Sequence, residues 1–169
     1  MWPFAKDMIV RLAQGQVEFV VVGGVSAILQ GAEVTTLDLD ICYRRTPENV
    51  ARLAKVLAPL QPCLRGLPPD LPSIFDERTL QLGCNFTLLI GTESVDLLGI
   101  RSAIGGYEQI IGDAKEIIID SYPVKLLSLT HLIATKEAAG RTKDRAALPL
   151  LRAALETKQQ DKPHDDPAP

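Results

Sequence analysis

The stretch VVVGGVSAILQGAEVTTLDLDICY, residues 20–43, decides how the rest of the chain is interpreted. An apolar run ends in Gly23 and Gly24, and a second apolar run in the same stretch contains Asp38 and Asp40. Acidic side chains disfavour strands and are costly to bury. Two of them inside a segment that otherwise resembles core therefore indicate a specific chemical task.

The two aspartates are expected on one face of a strand. Side chains alternate between the faces of a strand, so Asp38 and Asp40 point one way while the apolar residues around them point into the core. Neighbouring carboxylates repel each other unless water, a proton or a cation offsets their charge. We predict Mg²⁺, or Mn²⁺ in its place, because hard ions prefer carboxylate oxygens together with substrate phosphates.

A third acid has similar surroundings. Asp96 lies between Val95 and Leu97 in another predicted strand. If that strand is next to residues 37–43, three carboxylates converge on one face of the sheet. Such a cluster suits two metal ions ~4 Å apart, which activate an attacking oxygen and stabilise a leaving pyrophosphate.

The glycine pair is predicted to bind phosphate. Gly23 and Gly24 end the buried strand 17–22 and open a short helix at 25–29. Glycine allows backbone N–H groups to approach a phosphate closely, and a helix N-terminus adds positive partial charge. Ser26, in the first turn, is expected to donate its hydroxyl to the same phosphate.

Lys136 lies on the inward stripe of a predicted helix. Its spacing from Leu129, Leu132 and Ile133 is that of one helical face. From the residues alone, two interpretations stay open. Either the stem packs while the ammonium reaches water, or the ammonium binds a triphosphate.

Composition limits the protein class. The chain has 169 residues and a formal net charge of -3, which fits one domain and gives no bulk sign of nucleic-acid binding. The three cysteines are scattered, which disfavours a disulfide frame or a zinc site and favours the cytoplasm. No apolar run approaches the roughly 18–20 residues that span a membrane, so no membrane association is expected.

The remaining pattern predicts a single domain over residues 1–157. It consists of a catalytic sheet at about 17–127 and C-terminal helices at 128–157, followed by a disordered tail at 158–169. The predicted strands are 17–22, 37–43, 85–90, 94–99, 115–120 and 124–127. The predicted helices are 4–14, 25–29, one that starts at Pro47 after the cap Thr46, one from the cap Ser128 to Gly140, and 142–157. Residues 61–74, with four prolines, are predicted to form a loop.

The order of these motifs resembles a known superfamily. GG-x-S, then D-x-D between apolar residues, then a single aspartate in an apolar strand is similar to the nucleotidyltransferases related to DNA polymerase beta. The run LSLTHLIATKEAAGRTKDRAALPLL, residues 127–151, resembles the branch grouped with the AbiEii abortive-infection toxins. The resemblance extends from about Val17 to Leu151.

The resemblance implies an α/β fold of the α+β type, with a mixed sheet, flanking helices and a helical C-terminal part. It also implies Mg²⁺-dependent transfer of a nucleoside monophosphate from an NTP to an acceptor, which is RNA such as tRNA, a protein or a small molecule. Asp38, Asp40 and Asp96 become the catalytic and metal residues, and a matching lysine in the family favours phosphate binding by Lys136. Many members of the branch are toxins that pair with an antitoxin protein.

Several alternatives stay open. Arg141 and Lys143 either begin a solvated helix or bind a phosphate or nucleic acid. Asp144 either caps that helix or faces inward and orients Lys136. The alternative function is a non-catalytic nucleotide-binding or antitoxin-like module that keeps the fold. A dinucleotide-binding fold and a P-loop kinase are disfavoured because the required glycine and lysine spacings are missing.

Overall fold

The computed structural model describes residues 2–67, 75–101 and 105–160. Its α-helices are α1 (Pro3–Gln14), α2 (Gly23–Leu29), α3 (Pro47–Leu57), α4 (Glu77–Leu82), α5 (Tyr107–Ile110), α6 (Leu129–Ala139) and α7 (Thr142–Gln160). Its strands are β1 (Phe19–Val22), β2 (Asp38–Tyr43), β3 (Cys63–Leu64), β4 (Asn85–Ile90), β5 (Glu93–Leu98), β6 (Ile100–Arg101), β7 (Gly105–Gly106), β8 (Lys115–Ile119) and β9 (Tyr122–Leu126).

Seven of these strands form one mixed sheet in the order β3-β4-β5-β2-β1-β9-β8. The central strand β2 runs antiparallel to β1 and parallel to β5. β1 is also parallel to β9, while β4–β5 and β8–β9 are antiparallel pairs. The predicted mixed sheet with flanking helices is confirmed.

The period-two pattern of the strands gives the sheet two buried faces. One face carries Val21, Leu39 and Val95, and it packs against buried residues of α1, α3 and α4. The other carries Val20, Val22 and Cys42, and it packs against buried residues of α2, α5, α6 and α7. Alternation of side chains along each strand thus separates two cores. Asp38, Asp40 and Asp96 belong by parity to the second face.

Local capping signals have the predicted structures. Thr46 accepts a hydrogen bond from the backbone N–H of Asn49 and begins α3. Ser128 accepts from the backbone N–H of His131 and begins α6. Gly140, at φ +61°, ends α6 in the left-handed conformation that glycine adopts readily.

Some elements differ from the prediction. α4 and α5 were not expected, because each is too short to show a helical periodicity. β3 lies inside the predicted proline-rich loop, of which residues 68–74 are outside the described part. α7 continues to Gln160, so the first three residues of the predicted disordered tail are helical. The rest of that tail, 161–169, also lies outside the described residues. Within the described residues, each helix is too short or too polar to cross a membrane.

Candidate active site

The three predicted carboxylates meet on one face of the sheet. In the parallel pairing of β2 with β5, Asp40 is opposite Asp96 and Asp38 is opposite Ser94. Directly opposite residues of paired strands point to the same side of a sheet. The register therefore brings Asp40 and Asp96 side by side, with Asp38 two residues earlier on the same face.

The glycine pair makes room for this cluster. Gly23 has φ +62°, and a Cβ atom added to it would lie 2.0 Å from Oδ2 of Asp40. A Cβ atom on Gly24 would lie 2.5 Å from Cβ of Thr36. Both glycines are therefore required by close approach, since an added side chain would collide with Asp40 at Gly23 and with Thr36 at Gly24.

A pocket of about 380 Å³ opens at this point. Its polar lining comes from Gly23, Gly24, Asp38, Asp40, Asp96, Lys136, Arg141, Lys143 and Asp144. Leu98 and Leu132 contribute to its apolar part. The volume lies in the range of small-ligand pockets, and both acidic and basic groups converge in it.

One oxygen in the site lacks a protein partner. Among the described side chains that are not exposed, Oδ1 of Asp96 is the buried polar atom without a hydrogen bond. Removing a carboxylate oxygen from water without a partner costs free energy. A bound cation would offset that cost, so this oxygen fits the predicted metal.

The three carboxylates do not form a ready-made metal site. Among the described residues, no group of three or more His, Cys, Asp or Glu side chains is arranged to hold an ion. Asp38 instead lies with Oδ1 3.8 Å from Nη1 of Arg65. Mg²⁺ commonly takes only one or two carboxylates and completes its coordination with substrate phosphates and water. The donor set thus fits an ion that enters with a nucleotide.

Lys136 is held at the pocket by a buried acid. Its Nζ donates a hydrogen bond to Oδ1 of Asp144 over 3.2 Å, and its side chain is 22% exposed. Asp144 is only 2% exposed and also accepts from Nε of Arg141 over 2.6 Å. The side chain of Asp144 therefore faces inward and contacts Lys136, which is the second of its two predicted alternatives.

The charge state of Asp144 follows from these contacts. Burial alone would raise the pKa of its carboxyl, but the hydrogen bonds from Arg141 and Lys136 outweigh burial and lower that pKa. The hydrogen bond to Asp144 in turn raises the pKa of Arg141. Asp144 is therefore ionised at neutral pH, and it fixes two cations at the edge of the pocket.

Ser26 does not have the predicted position. It is fully buried, and its hydroxyl donates to the backbone oxygen of Leu127 over 2.9 Å. The same hydroxyl accepts a hydrogen bond from Nε2 of Gln30 over 3.1 Å. The prediction that Ser26 donates to phosphate therefore disagrees with the structure. Ser26 instead ties α2 to the connection between β9 and α6.

Ser26→Ala should affect stability and leave nucleotide affinity unchanged. The substitution removes the two buried hydrogen bonds of the hydroxyl, so we expect the free energy of unfolding to fall by about 1–3 kcal/mol. Urea unfolding and calorimetric titration with a nonhydrolysable NTP measure the two quantities. If a folded Ser26→Ala variant lost NTP affinity by tenfold or more, Ser26 would be a phosphate-binding residue after all.

Sequence reasoning missed two residues at the site. Thr36 packs on Gly24, and its hydroxyl donates to the backbone oxygen of Asp38. Arg65 comes from the end of β3, and no local pattern indicates that its side chain reaches Asp38.

Solved structures share this fold. No protein-family model and no curated protein matches the chain. ANT(2'')-Ia in complex with adenylyl-2''-tobramycin matches with a TM-score of 0.55 and 17% identity, over 90% of this chain and 87% of that chain. The solution structure of the antibiotic-resistance factor ANT(2'')-Ia matches with a TM-score of 0.53 and 17% identity, over 95% of each chain. A Thermotoga maritima protein assigned to the nucleotidyltransferases matches with a TM-score of 0.50 and 16% identity, over 91% of each chain. The chain therefore has the nucleotidyltransferase fold.

Proposed function

We propose that the protein is a metal-dependent nucleotidyltransferase that moves a nucleoside monophosphate from an NTP to an acceptor. The observation that carries this proposal is the side-by-side placement of Asp40 and Asp96. One buried oxygen of Asp96 has no partner, and the pocket around it also contains Gly23 and Lys136. The shared nucleotidyltransferase fold supports the same reaction class.

The basic and backbone groups of the pocket suit the triphosphate of an NTP. Backbone N–H groups at Gly23 and Gly24, together with Lys136, are assigned to the triphosphate. Arg141 and Lys143 also line the pocket and add positive charge to it. Charge-assisted hydrogen bonds from lysine and arginine are the strong contacts that phosphate oxygens form.

The reaction proceeds by displacement at the α-phosphorus. A bond forms between the acceptor hydroxyl oxygen and this phosphorus, and the bond from phosphorus to the bridging oxygen breaks. Pyrophosphate leaves, and the hydroxyl proton passes to water. Asp40 and Asp96, joined by Asp38, would hold Mg²⁺ or Mn²⁺, which supplies charge neutralisation at the phosphates and lowers the pKa of the attacking hydroxyl. We assign Asp96 to the acceptor side.

The proposed acceptor classes are RNA such as tRNA, a protein and a small molecule. The ANT(2'')-Ia complex contains an adenylylated small molecule, whereas the AbiEii-like run at 127–151 supports a toxin with an antitoxin partner.

Expression in bacteria tests the toxin role. A toxin slows growth, and Asp96→Asn at equal protein level relieves the effect. Normal growth with an active wild type would remove only the toxin role.

Covalent labelling tests the proposal as a whole. The protein is incubated with each α-labelled NTP, Mg²⁺ and bacterial extract, and RNA, protein and small molecules are then separated. We expect one fraction to become labelled, and EDTA to prevent it. Nucleotide binding without label in any fraction, and without release of pyrophosphate, would favour the non-catalytic module.

Lys136→Ala should weaken NTP binding about tenfold or more. One charge-assisted hydrogen bond to phosphate contributes ~1.5–3 kcal/mol, and 1.4 kcal/mol corresponds to a factor of ten. Calorimetric titration in Mg²⁺ measures the affinity. Lys55→Ala, an exposed position on α3, serves as the control and should bind like the wild type. Equal affinity in both variants would make Lys136 a packing residue.

A further inference from the structure

The metal-binding face contains an unexpected contact. Asp38, Asp40 and Asp96 share one side of the sheet, yet these three acids are not arranged to hold an ion together. Asp38 is 43% exposed and lies beside the guanidinium of Arg65. We propose that Arg65 is a positioning residue that keeps Asp38 away from the metal until a nucleotide-bound metal displaces it. This inference rests on the proposed function.

Arg65 is fixed so that it can reach across the sheet. Its backbone N–H donates to the oxygen of Thr87 over 2.9 Å, at the end of β3. Its side chain extends to β5, where Nη1 donates to Oγ of Ser94 over 3.3 Å. Ser94 is buried and directly opposite Asp38 in the register. The Ser94 hydroxyl therefore holds the guanidinium beside Asp38. Because this hydroxyl carries no charge, it does not neutralise Arg65.

The ion pair is weak enough to exchange. Both partners are about half exposed, and the nitrogen and oxygen are 3.8 Å apart. Exposed pairs of this kind contribute little to stability, so releasing Asp38 costs little. A divalent ion alone, however, is repelled by the positive charge of Arg65, and it must also compete with Arg65 for the carboxylate of Asp38. A metal that arrives with triphosphate brings its own negative charge and is opposed less.

The consequence is an ordered use of the metal. Without nucleotide, Asp38 stays on Arg65, so free Mg²⁺ or Mn²⁺ binds weakly. With nucleotide, Asp38 turns to the metal and the third carboxylate joins the site. Arg65 thus couples metal binding to nucleotide binding.

Binding of Mn²⁺ alone to the full chain tests this role. Free Mn²⁺ is counted by electron paramagnetic resonance, without nucleotide, for wild type, Arg65→Gln, Arg65→Lys and the double variant Arg65→Gln with Asp38→Asn. Removing the competing cation should tighten Mn²⁺ binding roughly two- to fivefold in Arg65→Gln. Arg65→Lys keeps the charge and should remain weak, and the double variant should lose the gain.

Two results would overturn the proposal. The first is equal Mn²⁺ affinity in Arg65→Gln and wild type, and the second is a gain that persists in the double variant. If Arg65→Gln does not fold, Ser94→Ala is used instead, because it removes the hydroxyl that holds the same guanidinium. This variant should bind Mn²⁺ about twofold or more tightly than wild type. Unchanged Mn²⁺ binding by Ser94→Ala would also overturn the proposal. A wild type that releases no pyrophosphate would instead refute the proposed function, so the two failures are distinguishable.

Discussion

Asp96→Asn is expected to remove nearly all nucleotidyl transfer while NTP affinity stays within a few fold of wild type. The carboxylate lies next to Asp40, on the strand farther from Gly23 and Gly24. A metal ligand on the acceptor side mainly stabilises the transition state. Loss of several kcal/mol of this stabilisation lowers the transfer rate by about 10³-fold. Transfer of α-label and calorimetric NTP titration measure the two quantities.

The same variant should fold at least as well as wild type. Oδ1 of Asp96 is buried and has no hydrogen-bond partner in the protein, so an amide oxygen in its place loses no contact. An inactive Asp96→Asn protein with undiminished stability would therefore separate function from folding. Asp7→Asn, an exposed acid on α1, is the control and should keep full activity. Transfer by Asp96→Asn at the wild-type rate would exclude Asp96 from the mechanism.

Gly23→Ala is expected to have a comparable effect by displacing Asp40. The added methyl group would lie 2.0 Å from Oδ2 of Asp40, at a backbone φ of +62° that alanine disfavours. Asp40 must move, and backbone N–H groups at the start of α2 move with it. We expect transfer to fall by about 100-fold or more and NTP affinity to fall as well, because both groups belong to the pocket.

Gly31→Ala is the matched control for this substitution. Gly31 also has a positive φ, +92°, but no atom lies within 4 Å of an added Cβ. Its backbone strain should cost stability by about 1–2 kcal/mol without affecting transfer. If Gly31→Ala and Gly23→Ala lose activity equally, general backbone strain rather than the position of Asp40 explains the loss.

The sequence predicted those features that depend on local periodicity. Alternation along β2 places Asp38 and Asp40 on one face, and helical spacing places Lys136 on the inward side of α6. The caps at Thr46 and Ser128 follow from side-chain chemistry close to the helix start. Once β5 pairs with β2 in the observed register, Asp96 is directly opposite Asp40.

The remaining features depend on contacts between distant residues. The partner of the Ser26 hydroxyl is Leu127, 101 residues away in sequence, and no pattern near Ser26 indicates it. Arg65 reaches Asp38 from another strand, so their pairing depends on the sheet order. Short elements such as α5, with four residues, arise from tertiary packing rather than from their own periodicity.

The proposed reaction in this pocket transfers the nucleotide rather than a terminal phosphate. The most direct measurement uses one NTP in two forms, labelled at the α-phosphate or at the γ-phosphate, with Mg²⁺ and the acceptor fraction. We predict that the acceptor takes the α-label only, and that the γ-label appears in pyrophosphate in equal amount. A γ-label on the acceptor, or pyrophosphate absent under conditions where the NTP binds, would refute nucleotidyl transfer in this pocket.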